Sequence, residues 1–207
     1  MDIRCNKVFD IRNCRIPYDV PYYLDTNIWY WLTYPRVTFR NAIQLQKATD
    51  YTSFISNLQM KNVELCSTIF TYSELINIVE RNEFDLVKTQ YQNKKHFRKD
   101  SDKRRDTVEI IANVLEQVDE FSTPDKVVQI LDYIKAETLI QGLNSTLLDG
   151  NDLIVGMLTK ENEIVNIISD DSDFGTLDGI NLFTLNEEVI ESAKEQGKLA
   201  EIDLVNH

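Results

Sequence analysis

Acidic side chains recur in this chain at the edges of short apolar segments. Asp25 ends the apolar run that begins at Tyr22, and the small polar residues Thr26 and Asn27 follow it. In a parallel α/β sheet this pattern predicts a buried strand that carries a carboxylate to its C-terminal end, where open α/β folds bind their ligands. A carboxylate with so little solvent around it needs a partner, and a metal ion is the usual one.

Two further acidic positions are associated with predicted helices. Glu74 is in a predicted helix that follows a buried strand predicted over residues 63–68. Asp152 is in the first turn of a helix predicted over 149–160, and Asp149 precedes it by three residues. The two aspartates lie on neighbouring faces of that helix, so both need not contact one ligand.

The last acidic group follows another apolar segment, residues 164–168, which predicts a strand. The polar residues that come after this strand include Ser169, Asp170, Asp171 and Asp173. Strand ends and helix starts of an α/β sheet can meet at one edge. The order of these acidic positions therefore predicts that they converge on a single site.

Carboxylates gathered in this way indicate metal-dependent chemistry. They repel each other, and without a cation some of them would be forced to hold protons. An all-oxygen ligand set without His or Cys favours Mg²⁺ or Mn²⁺ over zinc. One or two such ions can lower the pKa of a bound water and neutralise a scissile phosphate.

The ordered set of motifs resembles the PIN-domain nucleases, which include the VapC-type toxin ribonucleases of toxin–antitoxin modules. That family carries Asp-Thr-Asn or Asp-Thr-Ser after the first strand, Glu-Leu in a helix, Asp before Leu/Ile-Ile at a helix start, and a Thr-x-Asp-x-Asp-Phe-like end to the fourth segment. The matching residues are Asp25, Glu74, Asp152, Asp171 and Asp173-Phe174. The resemblance covers roughly residues 20–185. The chain departs from it at Ser169, where the family often has Thr, and by an additional Asp149, an N-terminal extension and a long middle segment.

The resemblance implies an RNA substrate and a role for each residue. The implied metal ligands are Asp25, Glu74, Asp152, Asp171, Asp173 and Asp149. Asp25 and Asp152 would bind the metal directly, and Glu74 would be a ligand or a base for the water. Asp171 would complete the set, directly or through water. The residues that would orient these carboxylates by hydrogen bonds are Asn27 and Ser169. An antitoxin protein and a second copy of the chain are the partners that such toxins suggest.

The acidic positions also have purely structural interpretations, although for Asp25 the sequence offers only the start of the next helix. Glu74 follows Thr71 by three residues, which is the spacing of a capping box. Asp149 would make a good N-cap, and Asp152 would suit the first turn of the same helix. The aspartates of 170–173 could form an ordinary acidic turn. Their joint occurrence, in this order and with these flanking residues, favours an active site.

Two rival functions remain open. A catalytically silent PIN module could bind RNA or a protein partner, although a full set of four acids argues against it. A phosphatase could use Asp25 as a nucleophile, but that chemistry usually requires a second Asp two residues later, where this chain has Asn27.

Composition limits the partners and the compartment. The chain has 207 residues, is 43% hydrophobic and 27% charged, and carries a net charge of −12, which argues against a generic nucleic-acid binder. No apolar run approaches the roughly 20 residues of a membrane span, and residues 1–10 lack the apolar core of a secretory signal. Three cysteines and two histidines make a structural zinc cluster a poor interpretation. We therefore expect free thiols and a cytoplasmic protein.

One stretch of the acidic chain is basic. Lysines and arginines crowd into residues 88–105 and could guide a polyanion to one face. The residues that we expect to contact RNA are Lys94, Lys95, Arg98 and Arg104. The alternative is a solvated helix face whose charges pair with the acidic excess.

The elements that must position these residues alternate along the chain. Strands are predicted over 20–26, 63–68, 164–168 and 180–184. Helices are predicted over 42–58, over 71–79, over 84–118 with a bend around 99–106, from 122 to about 140, over 149–160 and over 186–196, with a loop at 142–145. This pattern predicts an α/β fold, a three-layer α/β/α sandwich with a short parallel sheet, as in the PIN-like proteins. We expect one domain over 1–207, with an N-terminal extension of strand or hairpin character at 1–19 and a helical insertion at about 84–140 above the active edge.

Overall fold

Parallel strands form one five-stranded sheet in the computed structural model, which describes residues 1–14, 17–39, 41–122 and 135–200. The strands are β1 (Lys7–Asp10), β2 (Tyr22–Leu24), β3 (Leu65–Cys66), β4 (Asn166–Ile168) and β5 (Asn181–Thr184). Their order across the sheet is β1-β5-β4-β2-β3. Neighbouring β2 and β4 are in register, with Leu24 opposite Ile168, so their C-terminal ends lie side by side.

Helices follow the strands and cover both faces of the sheet. In the described residues they are α1 (Thr26–Thr33), α2 (Ala42–Met60), α3 (Ile69–Val87), α4 (Lys94–Lys99), α5 (Ser101–Phe121), α6 (Ala136–Ser145), α7 (Gly150–Glu161) and α8 (Glu187–Glu195). The predicted α/β/α sandwich is confirmed. None of these described helices has both the length and the apolar character that crossing a bilayer requires.

The strands are apolar on both faces because each face packs against helices. In β2, Tyr22 and Leu24 join the core that α1, α2, α3 and α5 share, whereas Tyr23 joins the core that α7 and α8 share. In β4, Ile168 and Ile167 divide in the same way. This alternation is the period of two that a strand imposes on its side chains.

The two outermost strands differ in part from the sequence prediction. The short strand expected within 1–19 is β1, but it pairs in parallel with β5 rather than in a hairpin. β3 has two residues rather than the six predicted, because Thr68 already caps the helix α3. This helix starts at Ile69 and runs to Val87, well beyond the 71–79 segment that the sequence suggested.

The predicted loop at 142–145 is wrong, since these residues form the last part of α6. A Cβ added at Gly142 would lie 2.6 Å from Cδ1 of Leu153 on α7. Glycine is therefore used here for the close approach of two helices and not for a turn. The helix predicted to start at 122 falls mostly outside the described residues, and Ser122 itself is the C-cap of α5.

The middle of the chain contributes to the common core. Ile111, Val114 and Val118 of α5 are buried among α1 and α3 side chains. The predicted bend is confirmed at Asp100, which ends α4 and caps α5 by accepting hydrogen bonds from the amides of its first turn. How the chain divides into a core, an extension and an insertion stays a prediction.

A buried carboxylate fastens this middle segment to α3. The side chain of Glu80 is 5% exposed and forms ion pairs with Arg98 of α4 and Arg104 of α5. The hydrogen bonds from Arg98, followed by its charge and that of Arg104, hold the pKa of Glu80 below its usual range despite burial. Folding stability that depends on this ionised carboxylate is therefore present above about pH 4 and is lost as the pH falls through the lowered pKa.

We expect Glu80→Gln to lower the free energy of unfolding by about 1–3 kcal/mol at pH 7, because two arginines lose their buried partner. Urea denaturation measures this loss. The matched control is Glu109→Gln on an exposed face of α5, which should change stability by less than about 0.5 kcal/mol. Equal effects of the two substitutions would contradict the role of Glu80.

Candidate active site

The carboxylate of Asp25 lies at the C-terminal edge of the sheet, directly after β2, and is 4% exposed. Its Oδ1 accepts a hydrogen bond from the amide of Thr26 at 2.6 Å, so that Asp25 is the N-cap of α1. Its Oδ2 accepts a hydrogen bond from the hydroxyl of Ser169 at 2.7 Å. Because Ser169 directly follows β4, this bond joins the ends of the two neighbouring strands.

Glu74 connects the second motif to the first and the third. Its Oε2 accepts from the hydroxyl of Thr26 at 2.6 Å, and its Oε1 accepts from the side-chain amide of Asn151 at 3.0 Å. The capping box of α3 is formed by Thr68 and Thr71, so the interpretation of Glu74 as the capping partner of Thr71 is wrong. Glu74 therefore does not cap α3, and its carboxylate belongs to the acidic cluster.

Asp149 and Asp152 have different surroundings. The Oδ1 of Asp149 accepts from the amides of Asn151 and Asp152, at 2.9 and 3.1 Å, and thereby caps α7. Among the described residues the carboxylate of Asp152 has neither a hydrogen-bond donor nor a cation as a partner. Burial raises the pKa of Asp152 to about 8, with further contributions from the charges of Asp25, Asp149, Glu74 and Asp171. Because the charges of these four acids act on Asp152, its carboxylate lies close to theirs.

The aspartates of the fourth motif contact two different parts of the molecule. Asp171 donates its amide to the hydroxyl of Ser169 at 2.9 Å, and its Oδ1 accepts from the amide of Asp173 at 2.9 Å. Burial and the charge of Asp171 raise the pKa of Asp173. Asp170, between Ser169 and Asp171, points away from the cluster, where Lys47 of α2 pairs with it.

Burial, followed by repulsion among the carboxylates, raises the pKa values of the cluster. Burial raises the pKa of Asp25 to about 6, and the charges of Asp171 and Glu74 add to this, while the hydrogen bonds from Ser169 and Thr26 oppose it. The phenol of Tyr23, buried beneath the site with its hydroxyl 3.3 Å from that of Thr71, also has a raised pKa, through burial and then the charge of Asp25. Negative charge is thus concentrated at this edge of the sheet.

Within the described chain, the six carboxylates named as metal ligands take part in none of the ion pairs. Three or more His, Cys, Asp or Glu side chains are nowhere gathered into a ready-made metal cage in that part of the chain. Mg²⁺ does not require such a cage, since it keeps several waters and usually takes one or two carboxylates and a substrate phosphate. An uncompensated set of oxygen donors fits such a hydrated cation.

Sequence reasoning missed two residues that orient the cluster. Thr26 and Asn151 hold the two oxygens of Glu74, whereas Asn27 is exposed and takes no part in these hydrogen bonds of the described cluster. The sequence signal for these two residues was their position beside a predicted metal ligand, because Thr26 directly follows Asp25 and Asn151 directly precedes Asp152. Which of two neighbouring polar residues faces the site depends on the helical turn that they enter, and the motif alone does not specify it.

The predicted RNA-contacting residues lie in two kinds of environment. Arg98 and Arg104 are half-exposed, but their guanidinium groups are engaged by Glu80. Lys95 is exposed and Lys94 is partly exposed, and neither belongs to an ion pair among the described residues. The two lysines are therefore the members of the set that are open to a polyanion.

Comparison with known proteins assigns a family. A family model described as PIN domain matches residues 22–180, which run from the first residue of β2 to the residue before β5. The match includes every acidic residue of the cluster. Members of this family are generally nucleases that need metal ions. No curated protein and no solved structure matches the chain.

We expect Asp152→Asn to stabilise the metal-free protein at pH 8 by on the order of 1–3 kcal/mol, allowing for the partial exposure of this side chain. With its pKa raised to about 8, native Asp152 binds a proton more tightly than the unfolded chain does. Wild-type stability should therefore decline as the pH rises from about 4 to 8, and the difference between the two proteins should grow over that range.

Denaturant unfolding at pH 5 and pH 8 measures the difference. Asp149→Ala is the matched change, and it should lower stability by about 1 kcal/mol because α7 loses its cap. If Asp152→Asn destabilises the protein at pH 8, the assignment of Asp152 to a repulsive cluster is wrong.

Proposed function

This chain belongs to the PIN-domain family, and from that premise we propose that it is a metal-dependent endoribonuclease that hydrolyses phosphodiester bonds. The observation that carries the proposal is the hydrogen-bond network joining all four acidic motifs. Ser169 connects Asp25 with Asp171, while Glu74 connects the start of α1 with the start of α7. Nothing positively charged in the described chain neutralises this network, so it is arranged to receive a cation.

The proposed ligands follow from charge and burial. Asp25 and Asp152 are the acids whose pKa values are raised most, to about 6 and about 8, and a cation relieves their repulsion directly. Asp171 adds its charge to theirs. When bound, Mg²⁺ or Mn²⁺ supplies a Lewis acid that lowers the pKa of a water and neutralises the scissile phosphate.

Glu74 is suited to orient the attacking water. Neutral donors hold both of its oxygens, so its carboxylate is fixed in direction without being neutralised. Each oxygen keeps a further lone pair that can accept a proton or a hydrogen bond from water. Thr26 and Asn151 orient the Glu74 carboxylate by hydrogen bonds, and Ser169 orients the Asp25 carboxylate in the same way.

Metal binding and protonation compete at this site. The raised pKa values of Asp25 and Asp152 mean that both carboxyl groups hold protons more firmly than free aspartates do. Metal affinity should therefore increase as the pH rises from about 5 to 8, as these protons are released.

The choice of RNA and a toxin-like role rest on the resemblance of the four motifs to the VapC-type toxins. The same chemistry can cleave DNA. In this extended proposal, a protein antitoxin and a second copy of the chain are the partners, and RNA is the substrate.

The direct test is cleavage of single-stranded or loop-containing RNA. Activity should require Mn²⁺ or Mg²⁺, disappear with excess chelator and return when the metal is restored, and the products should carry 5′-phosphates. Glu74→Gln should reduce the rate by about 100-fold or more, because the water loses its orienting group. The matched control, Asp85→Asn, changes an exposed acid on the same helix and should leave the rate unchanged.

Undiminished cleavage in excess chelator would exclude the proposal, as would a 2′,3′-cyclic phosphate product. Metal binding without cleavage of RNA or DNA would favour the catalytically silent module instead.

The basic segment gives a separate prediction. Changing Lys94 and Lys95 together to Ala should weaken RNA binding and reduce the salt dependence of log Kd by about 0.7 to 1 unit for each lysine that binds a phosphate. Binding titrations at several salt concentrations measure this slope. Lys194→Ala, an exposed lysine on α8, is the control. An unchanged slope for the Lys94/Lys95 variant would assign this segment to a solvated face.

A further inference from the structure

We propose that Lys47 is a positioning residue of the active site. Through Asp170 it holds Ser169 and Asp171 in the orientation that the acidic cluster requires. This inference rests on the proposed function, since it concerns the same site.

The chain bends as it leaves β4, and the residues on either side of the bend contact different partners. Ser169 is fully buried and donates its hydroxyl to Asp25. Asp170 points to the opposite side, toward α2, and Asp171 returns to the hydroxyl of Ser169 through its amide. The backbone bends at Asp170, and the Ser169 hydroxyl next to it holds both the Asp25 carboxylate and the Asp171 amide, so fixing Asp170 against α2 restricts the positions of its two neighbours.

Lys47 makes a well-formed contact with Asp170. Its Nζ lies 2.9 Å from Oδ1 and 3.0 Å from Oδ2 of the carboxylate. The two side chains are 24% and 21% exposed, so this pair is partly desolvated. Removing Lys47 would leave the largely buried charge of Asp170 without its cationic partner.

Further contacts hold the same residue in place. The hydroxyl of Tyr51, one turn after Lys47 on α2, lies 3.2 Å from Oδ1 of Asp170 and 3.3 Å from the carbonyl of Ser169. That hydroxyl accepts the amide of Leu185 at 2.8 Å. The side-chain amide of Asn186 donates to the carbonyl of Asp170 at 2.9 Å. Asp170 is thus anchored by α2 and by the junction between β5 and α8.

This anchoring has two consequences for the site. It fixes the Ser169 hydroxyl, which stands 2.7 Å from the Asp25 carboxylate and 2.9 Å from the Asp171 amide. It also neutralises Asp170, whose charge would otherwise add to the repulsion among the acids beside it. Lys47 therefore acts on the site without belonging to the cluster.

Four variants test the proposal: Lys47→Met, Asp170→Asn, the double variant and Lys47→Arg. For each one, kcat and KM for RNA cleavage are measured, together with the Kd for Mn²⁺ by calorimetry. Gln46→Ala, on the exposed side of α2, is the control and should match the wild type.

We expect Lys47→Met to lower kcat by about 10- to 100-fold and to weaken Mn²⁺ binding, with KM changed by less than about threefold. Asp170→Asn should have a similar effect, and the double variant should be no worse than the poorer single variant, since both act through one contact. Lys47→Arg should keep most activity, because Arg also pairs with a carboxylate.

A higher KM with unchanged kcat for Lys47→Met, not reproduced by Asp170→Asn, would overturn the proposal and indicate direct contact with RNA. Unchanged kinetics in every variant would also overturn it. If Lys47→Met does not fold, Asp170→Asn and Lys47→Arg carry the comparison.

If the wild type neither cleaves RNA nor binds Mn²⁺, the proposed function fails. Hydrogen exchange then still tests whether Lys47 holds the residues around Asp170 in place. Faster exchange of the Asp171 amide in Lys47→Met would support the positioning contact. Unchanged exchange would overturn it.

Discussion

The constraint on which this structure depends is the repulsion among carboxylates at the C-terminal edge of a parallel sheet. Register places the ends of β2 and β4 side by side, so the residues that follow them, Asp25 and Ser169, necessarily meet. The chain responds with neutral donors: the hydroxyls of Thr26 and Ser169 and the amide of Asn151. Neutral hydrogen-bond donors fix the orientation of the carboxylates but leave their negative charge uncompensated. The folded protein therefore retains an unfavourable interaction that a bound cation, or protonation of the acids, removes.

Three cations of the described chain pair with carboxylates that lie outside the acidic cluster. Arg98 and Arg104 join Glu80, where they tie the middle helices to α3, and Lys47 joins Asp170 beside the site. These pairs hold α3 and the residue that follows Ser169, and none of them includes a carboxylate of the cluster. Rigid supports and an uncompensated centre are what a site for a hydrated metal ion needs, because preorganised carboxylates bind without further rearrangement.

Sequence reasoning predicted the parts of this arrangement that follow from local rules. Apolar runs that end in acids correctly indicated buried strands and their ends, and hence the α/β/α sandwich. Sequence reasoning failed where contacts between residues that are distant in the chain determine the structure. Gly142 resembled a turn residue, but it serves the approach of α6 to Leu153. The parallel pairing of β1 with β5 joins segments about 170 residues apart, and no local pattern encodes it. Nor could the sequence show that Lys47 reaches Asp170, because a surface lysine on a helix carries no sign of its partner.

The acids of the cluster also differ in how well structure alone explains them. Asp25, Asp149 and Asp171 each cap a helix or a 3₁₀ turn, so every one of them stabilises the fold locally, whatever its chemistry. Asp152 caps nothing and, among the described residues, accepts no hydrogen bond, yet its pKa is raised to about 8 by burial and by its acidic neighbours. Its place in the first turn of α7 favours a negative charge by only about 0.3–1 kcal/mol, which does not offset the burial and repulsion that raise its pKa. This imbalance supports the proposed metal site, since a cation bound beside Asp152 would relieve it.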